Sequence, residues 1–233
     1  MQKGDIVILE FTGREKGGNV FDTTDEKTAI ESGMKKENAL FQPMTVVVGQ
    51  GMLLKGIEEA LQEMKEGESK KVLMLPEKAF GERKEELVSL IPLNEFKKQN
   101  LNPFPGLIVE ADGRKGKVQS VSGGRVRVDF NSEMAGKTIE YELKVIKQLK
   151  TQSEQVQALA EKYFPLKKPT IVKSGFAQGI ATIEIPHLHA NEVQALKDLC
   201  ARDLLEFVKE CNKVVFQESF EKGASHVHTA PFP

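Results

Sequence analysis

The stretch Val48–Met64, VGQGMLLKGIEEALQEM, decides how the rest of the chain is read. Gly49 and Gly51 mark a tight turn. Apolar residues then recur at 53, 54, 57, 60, 61 and 64, the 3.6-residue period of an amphipathic helix, and Gly67 supplies its stop. A β-branched run over Thr45–Val48 precedes the turn, and a second over Lys70–Leu75 ends at Pro76. One helix set among such strands indicates an α+β arrangement, an antiparallel sheet wrapped on a single helix.

Working outward, residues 5–11 read as a strand that leaves the sheet at Thr12 and Gly13 and turns at Gly17, Gly18 and Asn19. Val20–Asp22 re-enters the sheet. Thr23 and Glu26 match a capping box for a short helix that Gly33 ends. Far along the chain, Thr138–Ile146 alternates so that Ile139, Tyr141, Leu143 and Val145 share one face.

The character changes between Glu85 and Ala135. Pro92, Pro103 and Pro105 punctuate a short helix around Asn94–Lys98. Three strand-like runs follow, Leu107–Ala111, Lys117–Val121 and Arg125–Phe130, joined by hairpin signals at Asp112-Gly113 and Ser122-Gly123-Gly124. From Thr151 the pattern is helix (Ser153–Tyr163), strands (near Thr170–Lys173 and Ile180–Ile185), helix (Asn191–Cys211) and strand (Val214–Phe220). The expected organisation is a discontinuous domain over 1–84 and 135–150, an inserted small β domain over 85–134, and an α+β C-terminal domain over 151–233.

Composition removes several function classes. Of 233 residues, 39% are hydrophobic and 29% charged, with a net charge of -1, so no bulk field favours nucleic acid or an anionic membrane. No run approaches the ~20 apolar residues of a membrane span, and Ile6–Leu9 is too short for a signal sequence, so a cytosolic chain is expected. Cys200 and Cys211, placed on one helix, would stand roughly 16 Å apart at ~1.5 Å per residue, too far to bridge, and read as two buried thiols. Gly51 and Gly56 have phosphate-loop spacing, but Ile57 stands where a lysine is required. His187 with His189, and His226 with His228, would share strand faces suited to metal capture. With four histidines and no His-rich tract, surface or interface histidines are the better reading, and neither metal nor cofactor is expected.

In order and spacing, the runs Val7–Gly13, Val20–Asp22, Val48–Ile57, Ala79–Gly81 and Ile139–Leu143 resemble the FKBP-type peptidyl-prolyl cis/trans isomerases, over residues 1–81 and 136–150. The resemblance implies a pocket on Phe11, Phe21, Asp22, Met44, Leu53, Leu54, Ile57, Phe80 and Tyr141. An interruption just after Gly81, returning near Phe130–Gly136, is similar to the SlyD-like members, which carry a chaperone domain in the flap. The helix at 25–33 and the region after 150 are similar to the long-chain archaeal branch. Three positions depart from the family pattern: Ile57 replaces the usual Trp of the pocket floor, and Phe80 and Phe11 replace customary Tyr residues. Loss of the flap hydroxyl removes on the order of 1 kcal/mol from a ligand that uses it.

Such a pocket needs little chemistry. Rotation about a peptide bond must break amide resonance, a barrier of ~18–20 kcal/mol. No covalent bond forms or breaks, so no nucleophile is required. The twisted amide is less dipolar than the planar one, and a dry apolar cup favours it. Phe11, Phe21, Leu53, Leu54, Ile57 and Tyr141 would line the cup, Phe80 would close it from the flap, and Met44 would contact substrate. The Leu54 N–H, and the Tyr141 hydroxyl if it faces inward, could donate to a substrate carbonyl, while Asp22 would orient the reacting amide electrostatically. In the insert, Leu87, Val88, Leu90, Ile91, Leu93, Phe96, Leu101 and Phe104 form either a groove for extended chain or the insert's own small core. The expected partners are unfolded or nascent polypeptides containing proline, and a second copy paired through Val214–Phe220. The rival readings are a non-enzymatic holdase and a metal-handling protein.

Overall fold

Alternation along one ten-residue strand sets the architecture. In the computed structural model, which describes residues 1–34, 40–111, 113–164, 172–186 and 192–219, β1 (Ile6–Glu15) buries Val7, Leu9, Phe11 and Gly13 on one face. After it come β2 (Val20–Thr23), α1 (Glu26–Glu31), β3 (Met44–Val47), α2 (Lys55–Glu63) and β4 (Ser69–Met74). The central part holds β5 (Val88–Pro92), α3 (Leu93–Lys98), β6 (Ile108–Ala111), β7 (Arg114–Ser122) and β8 (Arg125–Asp129). The chain continues as β9 (Ile139–Leu149), α4 (Gln152–Tyr163), β10 (Lys173–Ala177), β11 (Ile180–Pro186), α5 (Glu192–Phe207) and β12 (Lys213–Ser219). It forms two units, residues 1–72 with 140–233, and residues 73–139.

In the first unit the sheet order is β2-β1-β9-β4, with β3 also on β1. β1 divides its length between two antiparallel partners: Ile6 to Leu9 face Val47 to Met44, and Thr12 and Gly13 face Thr23 and Asp22. β9 buries Ile139, Tyr141, Leu143 and Val145, the face its alternation specifies. α2 buries Ile57, Ala60 and Leu61, with Met64 buried at its C-cap, and each large apolar side chain among them contributes about 1.5–3 kcal/mol. The capping box expected at Thr23 does not form. Asp25 is the N-cap, accepting from the Thr28 N–H, because the Thr23 hydroxyl instead donates across the strands to the Phe11 carbonyl.

The C-terminal elements have a three-stranded sheet, β10-β11-β12, in which β11 and β12 run parallel with α5 between them. Gln178 and Gly179, at φ 50 and 77, make the two-residue turn of the β10–β11 hairpin. Thr151 and Glu154 form a reciprocal capping box on α4. The core here includes Val156, Leu159, Phe164, Ile183 and Leu204, and also takes in Ile6 and Val47.

The helix expected through Cys211 ends at Phe207. Glu210 enters the left-handed region at φ 65, and Cys211 lies beyond the helix. Both thiols are free and buried, and burial, with the Asp203 carboxylate nearby, pushes the Cys200 thiol up to about 12, leaving it unreactive. Thr170 and all four histidines lie outside the described residues.

The second unit carries a four-stranded antiparallel sheet, β5-β8-β7-β6. Ser122 faces Arg125 across Gly123 and Gly124, both at positive φ, so the glycine pair is the expected hairpin turn. Three strands were legible in this segment, and the structure adds β5 as a fourth. Pro92 hides it: proline suits the end of an edge strand, and β5 pairs with β8 alone. β7 begins at Arg114, earlier than its polar start suggested, because Arg114 pairs with Ala111. The two connections to the insert run side by side: the Gly136 N–H donates to the Gly81 carbonyl at 2.9 Å, and Asn131 exchanges two hydrogen bonds with the Lys84 backbone.

Candidate functional site

The site begins with the Phe11 backbone. Its N–H donates to the Thr24 hydroxyl at 2.9 Å, and its carbonyl accepts from the Thr24 N–H at 3.0 Å. The Thr23 and Thr24 hydroxyls also donate to that carbonyl, each at 3.2 Å. These bonds lock β2 onto β1 and fix Phe11 against the strand that carries Phe21 and Asp22.

Tyr141 on β9 completes an aromatic cluster. Its ring stands 5.8 Å from Phe11 and 5.9 Å from Phe21, the latter edge-on at 84°, an arrangement that adds about 0.5–1.5 kcal/mol to area burial. The Tyr141 hydroxyl donates to Asp22 Oδ2 at 2.7 Å. Burial, and then the Asp22 carboxylate, push that hydroxyl well above the usual tyrosine range, so it stays protonated. Its single proton is committed to Asp22, which leaves the backbone as the source of a donor for a substrate carbonyl.

Gly13 makes this possible. A Cβ there would lie 2.5 Å from Tyr141 Cζ, so the ring occupies the space that a side chain would fill.

The turn before α2 supplies the next wall. Leu54 is the N-cap of α2, with no side-chain cap, and its carbonyl accepts from the Ile57 and Glu58 N–H groups. Glu58, 8% exposed, turns its carboxylate back into the turn and accepts from the N–H groups of Gly49 (2.7 Å), Met52 (3.1 Å) and Leu53 (3.4 Å). Among the described residues the Leu54 N–H has no such acceptor, which leaves it able to donate to a substrate carbonyl. Gly49 and Gly51, at φ 77 and 70, take the left-handed conformation that the turn requires.

Of the residues singled out in the sequence, the structure joins Phe11, Phe21, Asp22 and Tyr141 by direct contact. Ile57 is buried on α2, Leu53 and Leu54 are half-buried on the turn before it, and Met44 is half-buried on β3 opposite Leu9. Phe80 belongs to the second unit, half-buried after a 3-10 turn at Pro76–Lys78.

The insert residues divide. Phe96 is buried in a core with Val109, Val118, Val126 and Val128, and Ile91 and Leu93 pack on it. Leu87 and Val88 are half-buried, whereas Leu90, Leu101 and Phe104 are exposed. Sequence reasoning missed Ile108, at 56% exposure, because the alternation of β6 looked like that of an ordinary half-buried strand. It missed Glu58 as well. The available signal was a carboxylate at position 58 on the apolar face of a helix, facing a glycine-rich turn with surplus N–H groups.

Comparison with known proteins agrees with this geometry. The family model described as FKBP-type peptidyl-prolyl cis-trans isomerase matches residues 1–97. Models described as FKBP26, IF domain, and FKBP26_C-terminal match 89–134 and 152–221. The chain is similar to a short-type peptidyl-prolyl cis-trans isomerase of Methanocaldococcus jannaschii, 36% identical over 62% of this chain and 92% of that protein. A probable FKBP-type 16 kDa isomerase of Pseudomonas fluorescens is 33% identical, over 60% of this chain and 86% of its own length. The SlyD isomerase of Treponema pallidum is 31% identical, over 60% and 73%. With its sequence matched in this way, the chain belongs to the FKBP-type peptidyl-prolyl cis-trans isomerases.

Proposed function

We propose that this chain catalyses cis/trans exchange at X–Pro bonds of unfolded polypeptides in an apolar cup formed by Phe11, Phe21, Leu53, Leu54, Ile57 and Tyr141. The observation that carries the reading is the Tyr141–Asp22 hydrogen bond inside an aromatic cluster, a fixed carboxylate at the edge of a dry surface. Proline enters the cup, and desolvation disfavours the dipolar planar amide relative to the twisted one. Asp22, oriented by Tyr141, biases the field at the rotating bond, and the Leu54 N–H receives the carbonyl. Met44 contacts the substrate chain. No proton is transferred.

The insert extends this activity to protein clients. Leu90, Leu101, Phe104 and Ile108 are each more than 40% exposed, and exposed apolar side chains on a unit whose sheet has open edges suit capture of extended apolar chain. Two free cysteines fit a cytoplasmic setting. Among the described residues no helix is long and apolar enough to cross a membrane. β12 lies at the edge of its sheet, where pairing with a second copy would build a homodimer. A dimer mass in solution scattering is expected, and a monomer at working concentration would reject that part.

Refolding of a client whose slow phase is an X–Pro isomerisation tests the enzyme reading against a holdase. Acceleration of the slow phase at substoichiometric amounts is the expected result. Suppression of aggregation with an unchanged slow phase would instead favour a chaperone without catalysis.

A further inference from the structure

The turn that carries Leu53 and Leu54 is held from two sides. Glu58 fixes its backbone from within. The Met52 side chain packs against the core cluster that includes Val156, Leu159 and Leu204, as does Ile8 of β1. There it meets an unusual group: the Lys162 ammonium of α4 lies 3.7 Å from Met52 Sδ, with its side chain only 16% exposed.

A half-buried cation needs partners, and α5 supplies them. Asp203, 5% exposed, lies 3.3 Å from Lys162 Nζ, accepts from the Tyr163 hydroxyl, and takes a second cation, Arg202, at 3.1 Å. Lys162 Nζ also sits 4.7 Å above the Tyr163 ring. Burial alone would raise the Asp203 carboxyl, yet the hydrogen bonds from Tyr163 and the two cations bring it below its ordinary value, so it stays charged. Asp203 and Tyr163 thus hold one ammonium beside the side chain of an active-site turn, and Arg202 shares the carboxylate. A thioether is a weak acceptor, so the sulfur contact does not hold Lys162 in place. The Asp203 network does, and the turn receives the result.

We propose that Lys162, oriented by Asp203 and Tyr163, is a positioning residue that fixes the 49–54 turn through Met52, so that the C-terminal helices set the geometry of the isomerase cup. The proposal rests on the isomerase reading for its kinetic consequence, but its structural consequence is separate. With Met52 anchored outside and Glu58 inside, Leu53 and the Leu54 N–H are delivered in one conformation. Loss of the brace leaves only the backbone clamp, and small misplacements of a positioning group carry large rate costs.

The test uses the full-length protein with Lys162→Met, which keeps the apolar stem and leaves Asp203 its Tyr163 and Arg202 partners. Met52→Leu removes the sulfur at nearly constant volume, and Lys173→Met removes an exposed charge on β10 as a control. Amide resonances of Leu53 and Leu54 report the turn directly, and kcat and KM on a proline peptide report catalysis. Lys162→Met and Met52→Leu should each shift or broaden the two amides and lower kcat about three- to tenfold with KM nearly unchanged. The double variant should match the worse single one, and Lys162→Arg should restore most of kcat.

Unchanged Leu53 and Leu54 amides in Lys162→Met would overturn the proposal, as would additive losses in the double variant or the same amide changes in Lys173→Met. If the native protein shows no isomerase activity, the isomerase reading fails, while the amides still decide whether the brace exists. If Lys162→Met does not fold, Met52→Leu alone decides: unmoved amides overturn the brace and moved ones support it.

Discussion

The aromatic cluster and the insert both gather apolar side chains, but they are built in opposite ways. Around Phe11, Phe21 and Tyr141, every aromatic position is tied to polar partners: two threonines hold the Phe11 backbone, Asp22 takes the Tyr141 hydroxyl, and Gly13 leaves room for the ring. In the insert, Phe96 and four valines satisfy a small core, and Leu90, Phe104 and Ile108 are surplus to it. The first is a surface with one shape, suited to discriminating two geometries of one bond. The second is a surface with little shape, suited to many sequences. That contrast suggests a division of labour between turnover and capture.

The strongest way to break the contrast is to remove one side of it. Because Lys84 and Asn131 are directly bonded, residues 85–134 can be replaced by a short link between neighbouring ends. Catalysed refolding of a protein client should then fall on the order of 100-fold, the scale of lost avidity, while exchange of a short proline peptide stays within twofold. Equal losses on both substrates would show that the insert serves the cup itself.

On the other side, Gly13→Ala forces a methyl into the Tyr141 ring and should cost about 1–3 kcal/mol of stability, seen as a lower midpoint in urea. An unchanged midpoint would mean that the ring has somewhere else to go. Tyr141→Phe keeps the packing and deletes the bond to Asp22; about 1.5 kcal/mol, or tenfold in kcat/KM, should be lost with little change in stability. A smaller effect is expected from Phe104→Ser, which should slow client refolding about two- to fivefold without touching peptide exchange, since no single side chain dominates a shapeless surface.

The smallest effect is a pH dependence away from both regions. Hydrogen bonds from Lys147, and then from Thr151, hold the Glu154 carboxyl down from 4.5 to about 2. A depressed carboxyl contributes stability above its unfolded value and loses it as pH falls. The α4 cap should therefore be intact above pH 4.5 and loosen towards pH 2, with the Glu154 and Thr151 amide shifts reporting the change. Constant shifts across that range would remove Glu154 from the cap.

Which parts were legible in the sequence follows from the range of the forces involved. The β9 face and the period of α2 were plain, because burial of one face prints directly into residue order. Phe11, Phe21, Asp22 and Tyr141, which the structure joins, stood out together through motif order. What the sequence concealed depended on distant partners. Thr23 looked like a cap until Phe11 claimed its hydroxyl. The direction of the Tyr141 hydroxyl could not be read without Gly13 and Asp22 beside it. Glu58 carried an ordinary surface residue's identity while bonding three backbone N–H groups. Pro92 disguised an edge strand, and only pairing with β8 made Val88–Pro92 a strand at all.

Exchange spectroscopy on a proline-containing peptide, with the native protein beside Phe21→Ala and Asp22→Ala, tests the central claim most directly. The account predicts cis/trans exchange clearly faster with the native protein, and largely lost in both variants while their folds persist. Exchange at the uncatalysed rate with folded native protein, or catalysis undiminished in both variants, would contradict it.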